Sequence, residues 1–347
     1  MLPSTRFLGS KRRSAFWIID KIQGFRRGGR FLDLFGGSGS VAYAAKLCGF
    51  EVVYNDVLKW CWIVGRALVE NSCKRFSLSE VEEVVGRVEP FEGFISKNFP
   101  GIFYTAPENK WLDGALKLVK RIRDQYLFSL ALASLFQACL VKRPYNMFHR
   151  ANLRFRLRKI KRSFGNHYAW NKPFSLLWKR FLGEYSDKVF DNRQRNLALC
   201  SNALDFREDG WDVVYMDPPY LPSNGCPTVG YLEAYHFLEG IVIMLLEGEG
   251  SWLRLIDFSK KHRPLKLEEP WPRKPAEVRR AFSYLIDKFR ETAIIAISYR
   301  SDGIPSIAYI REQLRKAGKQ VKTFTKSQKY ALSNRGTREV LLIGYGT

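Results

Sequence analysis

Four consecutive residues, Asp217-Pro218-Pro219-Tyr220, bring together a carboxylate, two prolyl carbonyls and an aromatic ring. The prolines remove two backbone donors and stiffen the chain, so the turn is rich in acceptors and poor in donors. A planar amino group on a heterocycle needs such partners: two acceptors for its N–H bonds and a flat face to stack on. The chemistry this suggests is methyl transfer to the exocyclic amino group of a base. Taken alone, the four residues equally fit a proline turn that closes a strand.

A second constellation lies near the start of the chain. Phe35-Gly36-Gly37-Ser38-Gly39 has the spacing F-x-G-x-G. Glycine lets a backbone turn sharply and approach a ligand closely. The spacing is not the dinucleotide pattern G-x-G-x-x-G, because Ala42 stands three residues after Gly39. Asp33 puts a carboxylate just ahead of this loop. It would repel a phosphate, but it suits the cationic amino-acid end of S-adenosyl-L-methionine. Asp56 stands about 20 residues further on, where an acid accepts the ribose hydroxyls of an adenosyl group.

The elements that must hold these residues can be read from periodicity. Phe31–Phe35 is a short apolar strand, Val41–Cys48 a helix and Glu51–Asn55 a second strand. Strand, glycine loop, helix, strand and acid in that order open a doubly wound nucleotide-binding sheet. The apolar run Trp211–Met216, which ends at Asp217, predicts a buried strand. Further strands are expected at Ala293–Tyr299, Gln320–Phe324 and Glu339–Tyr345, with a helix over Ile304–Ala317. The stretch from Leu58 to Val141 reads as mostly helical. The fold class is therefore α/β, with a Rossmann-like sheet from residues 1–70 and 196–347. An inserted, basic and largely helical target-recognition region would span 71–195.

Composition narrows the partner. The 347 residues carry a formal charge of +23, an excess that points to a polyanion, most plausibly nucleic acid. From Lys142 to Cys200, Lys and Arg outnumber acids 15 to three, and aromatics are interleaved with them. Lys142, Arg143, Arg150, Arg154, Arg156, Arg158, Lys161 and Arg162 are the candidate DNA-binding residues. Arg154, Arg156 and Arg158 alternate, so on a strand they would share one face. The six cysteines show no CxxC pair and the four histidines lie apart in sequence, so no metal site is expected. The apolar run Tyr126–Val141 is too short for a bilayer and reads as a buried helix. With no signal-peptide pattern, the expected location is the cytoplasm of a prokaryote or its virus.

The chain resembles the Dam-type, alpha-class DNA adenine-N6 methyltransferases. The resemblance rests on Phe7-Leu8-Gly9-Ser10-Lys11, Asp33 to Gly39, Asn55-Asp56, Asn202 to Phe206, Asp217 to Tyr220, Tyr231 to Leu238 and Tyr330 to Asn334. The linear order is similar too: cofactor motif, then target-recognition region, then catalytic motif. The match is weak over 142–200. By resemblance, Phe7 and Lys11 would line the cofactor pocket, although the family often has Trp where Phe7 stands. Asp33, Phe35, Gly37 and Gly39 would hold the methionine moiety, Asp56 the ribose, and Asp205 and Phe206 the adenine of the cofactor. Asp217 and Pro218 would bind the target amino group, with Pro219 shaping the turn, Tyr220 stacking on the flipped base and Asp217 also bordering the cofactor. The implied partners are double-stranded DNA and a restriction endonuclease on a separate polypeptide.

Three other readings stay open at this point. An RNA adenine-N6 or a DNA cytosine-N4 methyltransferase would share the sheet and the motifs. A DNA-binding protein without catalysis would share the charge but has no use for intact Asp33, Asp56 and Asp217.

Overall fold

The computed structural model describes residues 2–158, 167–222, 229–327 and 338–346. The chain forms two compact units, each assembled from three stretches. The first holds Met1–Ser10, Leu58–Asp191 and Val229–Glu268; the second holds Lys11–Val57, Asn192–Thr228 and Glu269–Thr347. The excess charge divides almost evenly, +12 on the first unit and +11 on the second. Positive charge is thus not confined to one segment.

The second unit is a mixed α/β fold. Its described strands are β1 (Arg30–Asp33), β2 (Glu51–Asn55), β3 (Leu197–Leu199), β4 (Val213–Met216), β5 (Leu221–Pro222), β6 (Ile294–Arg300), β7 (Gly303–Ile304), β8 (Gln320–Ser327) and β9 (Arg338–Tyr345). Seven of them form one sheet in the order β3-β2-β1-β4-β6-β9-β8. The first five in that order run parallel, while β9 is antiparallel to β6 and β8 to β9. β5 and β7 pair separately.

All four residues of β4 are buried, which is why they read as an unbroken apolar run: a parallel strand covered on both faces has no polar side. Helix Pro275–Lys288 packs Val278, Phe282 and Leu285 against one face, where they meet Val214, Ile295, Ile297 and Leu342. Helix Ser40–Leu47 connects β1 to β2. From β1 the strand order runs outward through β2 and β3 on one side and through β4 and β6 on the other. That reversal is the switch point at which open α/β sheets bind ligands, beyond the carboxyl ends of the strands. β8 closes the sheet as an edge strand, and its exposed Lys322 and partly exposed Lys326 discourage pairing with another chain.

The first unit is helical. Helix Gln125–Val141 is buried at every residue from Ser129 onward, so apolar side chains surround it. Helix Tyr231–Glu247 is buried from Ala234 to Met244. The stretch Val229–Glu268 belongs with these helices, a grouping that its sequence does not reveal. Buried Glu239 accepts the backbone N–H groups of Lys59 and Trp60 at 3.0 Å each, placing a carboxylate on the positive end of helix Lys59–Gly65. The N-terminal segment is held in the same unit by hydrogen bonds from Arg6 N–H to Gln137 and from Leu8 N–H to the Tyr235 hydroxyl. No described helix is long and apolar enough to cross a membrane.

Candidate active site

The carboxyl ends of β1 and β4 lie side by side in the second unit. Asp33 is in register with Tyr215, and the Leu34 N–H donates to the Tyr215 carbonyl at 3.0 Å. The chain after β1 therefore passes next to the chain after β4, and Asp217 stands beside the glycine loop. That loop is tightly held. A Cβ on Gly36 would lie 2.0 Å from the Tyr54 ring, so no larger residue fits there. Gly37 and Gly39 have φ of 50° and 69°, in the left-handed region that glycine adopts without strain. The Tyr54 hydroxyl donates to the Gly37 carbonyl at 2.8 Å, and the Gly37 N–H donates to the Asp56 carboxylate at 2.8 Å. Asp56, expected to accept ribose hydroxyls, thus also braces the glycine loop. Buried Asn55 ties three strand ends together, donating to the carbonyls of Leu34 and Ser201 and accepting from the Ser201 N–H and hydroxyl.

Asp33 is almost fully buried. One oxygen accepts the Ala42 N–H at 3.1 Å, and the other, Oδ1, has no hydrogen-bond partner. Burial holds its carboxyl well above the usual carboxylate range, and the nearby charges of Asp217 and Asp56 push the same way. The site is thus short of positive charge, and a buried, half-satisfied carboxylate is stabilised by a cationic ligand.

Lys11 supplies the one ammonium that reaches Asp217 among the described residues. Its Nζ lies 3.2 Å from Asp217 Oδ1 and 2.8 Å from Glu339 Oε1. Lys11 is 6% exposed and Glu339 fully buried. Burial pushes the Asp217 carboxyl up to about 6; Lys11 pulls it down and Glu339 pushes it up. Lys11 lies in a recognisable sequence motif, whereas Glu339 stands in the sequence only as the first residue of an expected strand.

Tyr220 stands half-buried at the end of the proline turn. Its ring meets Tyr299 edge-on at 5.5 Å, and the Arg300 guanidinium lies 5.6 Å from its centroid. Arg300 is in turn paired with Asp302. The ring is therefore fixed by neighbours from β6. Phe35 packs edge-on against Trp271 at 5.2 Å. Phe206 lies in the core against Trp211, whereas Asp205 is exposed. Phe7 belongs to the first unit. There it stacks on Tyr231 and Tyr235 at 5.4 and 5.3 Å, beside Trp60. Trp271, Tyr299 and Arg300 carry no motif, and only their positions in the fold reveal them.

The basic segment departs from expectation. Arg154 and Arg156 lie on a short helix, Leu153–Leu157, not on a strand. At 100° per residue, positions two apart point to opposite sides, and positions four apart share a face. Arg154 and Arg158 are exposed accordingly, and Arg156 is buried. Arg156 pairs with Glu108, and so does Lys142 at 2.8 Å. Lys142 also donates to the carbonyls of Trp170 and Lys172. Arg143 is fully buried; it donates to the carbonyls of Phe103, Met147 and Arg150 and lies over the Phe103 and Phe148 rings. Lys142, Arg143 and Arg156 are thus packing residues, and the assignment of DNA contacts to them is corrected. Arg150 is exposed. Lys161, Arg162 and Tyr330–Asn334 lie outside the described residues.

Among the described residues, no cluster of three or more His, Cys, Asp or Glu side chains is arranged to hold a metal ion. Comparison with known proteins agrees with the chemistry of the site. The chain is 22% identical over 348 residues to the Type II methyltransferase M2.HphI of Haemophilus parahaemolyticus, covering 97% of this chain and 95% of that protein. It is 22% identical over 333 residues to the Type II methyltransferase M.NlaIII of Neisseria lactamica, covering 90% and 88%. It is 25% identical over 335 residues to the Type II methyltransferase M.FokI of Planomicrobium okeanokoites, covering 86% of this chain but only 45% of that longer protein. Residues 7–248, more than half of the chain and inclusive of the glycine loop, Asp56 and Asp217-Pro218-Pro219-Tyr220, match one family along their length. The chain belongs to the D12 class N6 adenine-specific DNA methyltransferase family.

Proposed function

We propose that the chain methylates adenine N6 at a specific site in duplex DNA, using S-adenosyl-L-methionine, and that Asp217 and the Pro218 carbonyl receive the two N–H bonds of the target amino group. The observation that carries this reading is the pairing of Asp33 with Tyr215 at the switch point, which brings Asp217 near enough to act on the Asp33 carboxyl, beside a loop that requires glycine. When bound, S-adenosyl-L-methionine supplies an electrophilic methyl group on a sulfonium. The residues fit such a ligand: Asp33 Oδ1 is a buried acceptor without a partner, and the surplus of carboxylates favours a cation. Asp33, Phe35, Gly37 and Gly39 are assigned to its methionine end, Asp56 to its ribose, and Asp205 and Phe206 to its adenine. Lys11 is assigned to the border of the same ligand.

The adenine N6 lone pair is delocalised into the ring, which makes the amine a poor nucleophile. Two acceptors, Asp217 and the Pro218 carbonyl, draw the nitrogen toward tetrahedral geometry and localise that pair. With S-adenosyl-L-methionine bound, the nitrogen would take the methyl as the methyl–sulfur bond breaks and neutral S-adenosyl-L-homocysteine leaves, and the proton then shed by the nitrogen would pass along its hydrogen bond to Asp217. The protein contributes orientation and electrostatics and forms no covalent bond with the base. Adenine stacked in a duplex cannot reach this turn, so it rotates out at a cost of about a few kcal/mol. Stacking on Tyr220 offsets about 1–3 kcal/mol of that.

The helical unit, with exposed Arg150, Arg154 and Arg158, is assigned to duplex binding and target recognition, as in the Dam-type order of motifs. The relatives are type II methyltransferases, which supports a separate endonuclease as a functional partner. The test is incubation with isotopically labelled S-adenosyl-L-methionine and duplex DNA, followed by mass spectrometry of the nucleosides. Label in N6-methyldeoxyadenosine is expected. Label only in N4-methyldeoxycytidine, or transfer only to structured RNA, overturns the proposal.

A further inference from the structure

We infer that Glu339 is a positioning residue for methyl transfer: by sharing the Lys11 ammonium, it fixes the side chain of Asp217 and keeps it a strong acceptor. The inference rests on the assignment of Asp217 to the target amino group.

Glu339 is the second residue of β9, and β9 is paired on both sides, with Arg300 of β6 and Lys326 of β8 opposite Glu339. A carboxylate on such a strand cannot shift by moving its backbone. It is fully buried, and a buried carboxylate is retained only where a partner compensates it. Lys11 is such a partner, at 2.8 Å, closer than the 3.2 Å from Lys11 to Asp217. Lys11 is itself held in a short turn, where its carbonyl accepts the Ser14 N–H at 2.8 Å. The Lys11 ammonium is thus shared between two carboxylates. A single ammonium shared in this way cannot neutralise both.

The other charged and titratable groups around Asp217 sharpen the point. Asp33 on β1, with Asp56 beyond it, adds negative charge. Tyr215 on β4 and Tyr220 after the turn both feel Asp217 and Lys11. Arg300 on β6 is paired with Asp302 and lies over Tyr220. Lys11 is thus the compensating cation for Asp217, and Glu339 decides how much of it Asp217 receives. Burial is the largest cause of the raised Asp217 carboxyl, at about 6; Lys11 then lowers it and Glu339 raises it. A carboxylate held in this state binds an amino group more strongly than one already saturated by an ammonium.

The signs can be followed in a pH profile. Asp217 acts as the carboxylate, so activity is present above its folded value and is lost as pH falls through it. In Glu339→Gln, the negative charge that raises the Asp217 carboxyl is gone and Lys11 is no longer drawn to it, so the acid limb moves to lower pH. In Lys11→Gln, Asp217 loses the ammonium that lowers its carboxyl while Glu339 still raises it, and the limb moves to higher pH. The experiment measures kcat/KM for S-adenosyl-L-methionine from pH 4.5 to 9 in the wild type, E339Q, K11Q and D217N. This ratio reports ionisations of the enzyme before that ligand binds.

Expected results are a wild-type limb near 6, a shift of about one pH unit downward in E339Q with kcat lowered roughly tenfold, and an upward shift in K11Q. Restoring the charge in E339D returns the limb toward the wild-type position. If E339Q does not fold, the direction of the K11Q shift decides, and an unmoved limb there overturns the inference. An inactive D217N together with an E339Q limb at the wild-type position removes the role of Glu339 alone. An active D217N with an unchanged limb removes the assignment of Asp217 itself.

Discussion

Replacing Arg156 by Met separates packing from DNA contact. The Arg156 side chain is 2% exposed and pairs with Glu108, which also holds Lys142, itself 1% exposed. Met keeps most of the aliphatic volume but removes one of two cations from a largely buried carboxylate. An uncompensated buried charged group costs about 1–3 kcal/mol or more, and Lys142 remains to offset part of it. A loss of about 1–3 kcal/mol lowers the melting temperature of a unit of this size by about 2–12 °C. Glu108→Gln goes further, because it strands two buried cations, and about 3–5 kcal/mol is expected.

The pH dependence follows from the same pair. Burial pushes the Glu108 carboxyl up, but Arg156 and Lys142 override it and hold the carboxyl below its ordinary value. Its contribution is therefore present above the unfolded carboxyl value of about 4.3 and is lost as pH falls below it. The assay is thermal unfolding together with the slope of log K for duplex DNA against log salt. R156M is expected to melt earlier with its salt slope unchanged. Exposed Arg154→Met is expected to melt as the wild type does, with the slope reduced by about 1. A reduced slope in R156M without any loss of melting temperature refutes the reasoning.

Two further predictions concern the other unit. Gly36→Ala places a methyl 2.0 Å from a Tyr54 ring that is anchored through its hydroxyl, so it should destabilise the unit by about 1–3 kcal/mol. It should also weaken S-adenosyl-L-methionine binding, as calorimetry would show; binding at wild-type strength would mean that the loop does not hold the ligand. Tyr220→Leu removes the stacking face and should reduce kcat/KM for duplex DNA by about 1–3 kcal/mol of transition-state stabilisation, with S-adenosyl-L-methionine affinity little changed. An unchanged kcat/KM would show that the ring does not receive the base.

The sheet was legible because each of its signals is local. A run such as Trp211–Met216 must be buried on both faces of a parallel strand, and β4 is buried throughout. The glycines show in the sequence as a spaced run, although what dictates Gly36 is the Tyr54 ring on the next strand. The short edge strand β3 escaped notice because Leu197–Leu199 is too brief to show a period. The fate of the basic segment was not legible for a different reason. Charge in a sequence does not name its partner, and the partner of Lys142 and Arg156 is Glu108, on a helix well upstream. The alternation of Arg154, Arg156 and Arg158 was read at a strand period when the backbone there is helical. Glu339 was hidden likewise, since only the pairing of β9 with β6 and β8 carries it to the site.

The most direct test of the account is the yield of N6-methyladenine from the Asp217→Ala enzyme, measured at protein excess alongside its affinity for S-adenosyl-L-methionine. Loss of an amino-group acceptor predicts no detectable N6-methyladenine while affinity for S-adenosyl-L-methionine falls far less. Methylation at the wild-type rate would contradict the central claim that this carboxylate holds the target amino group.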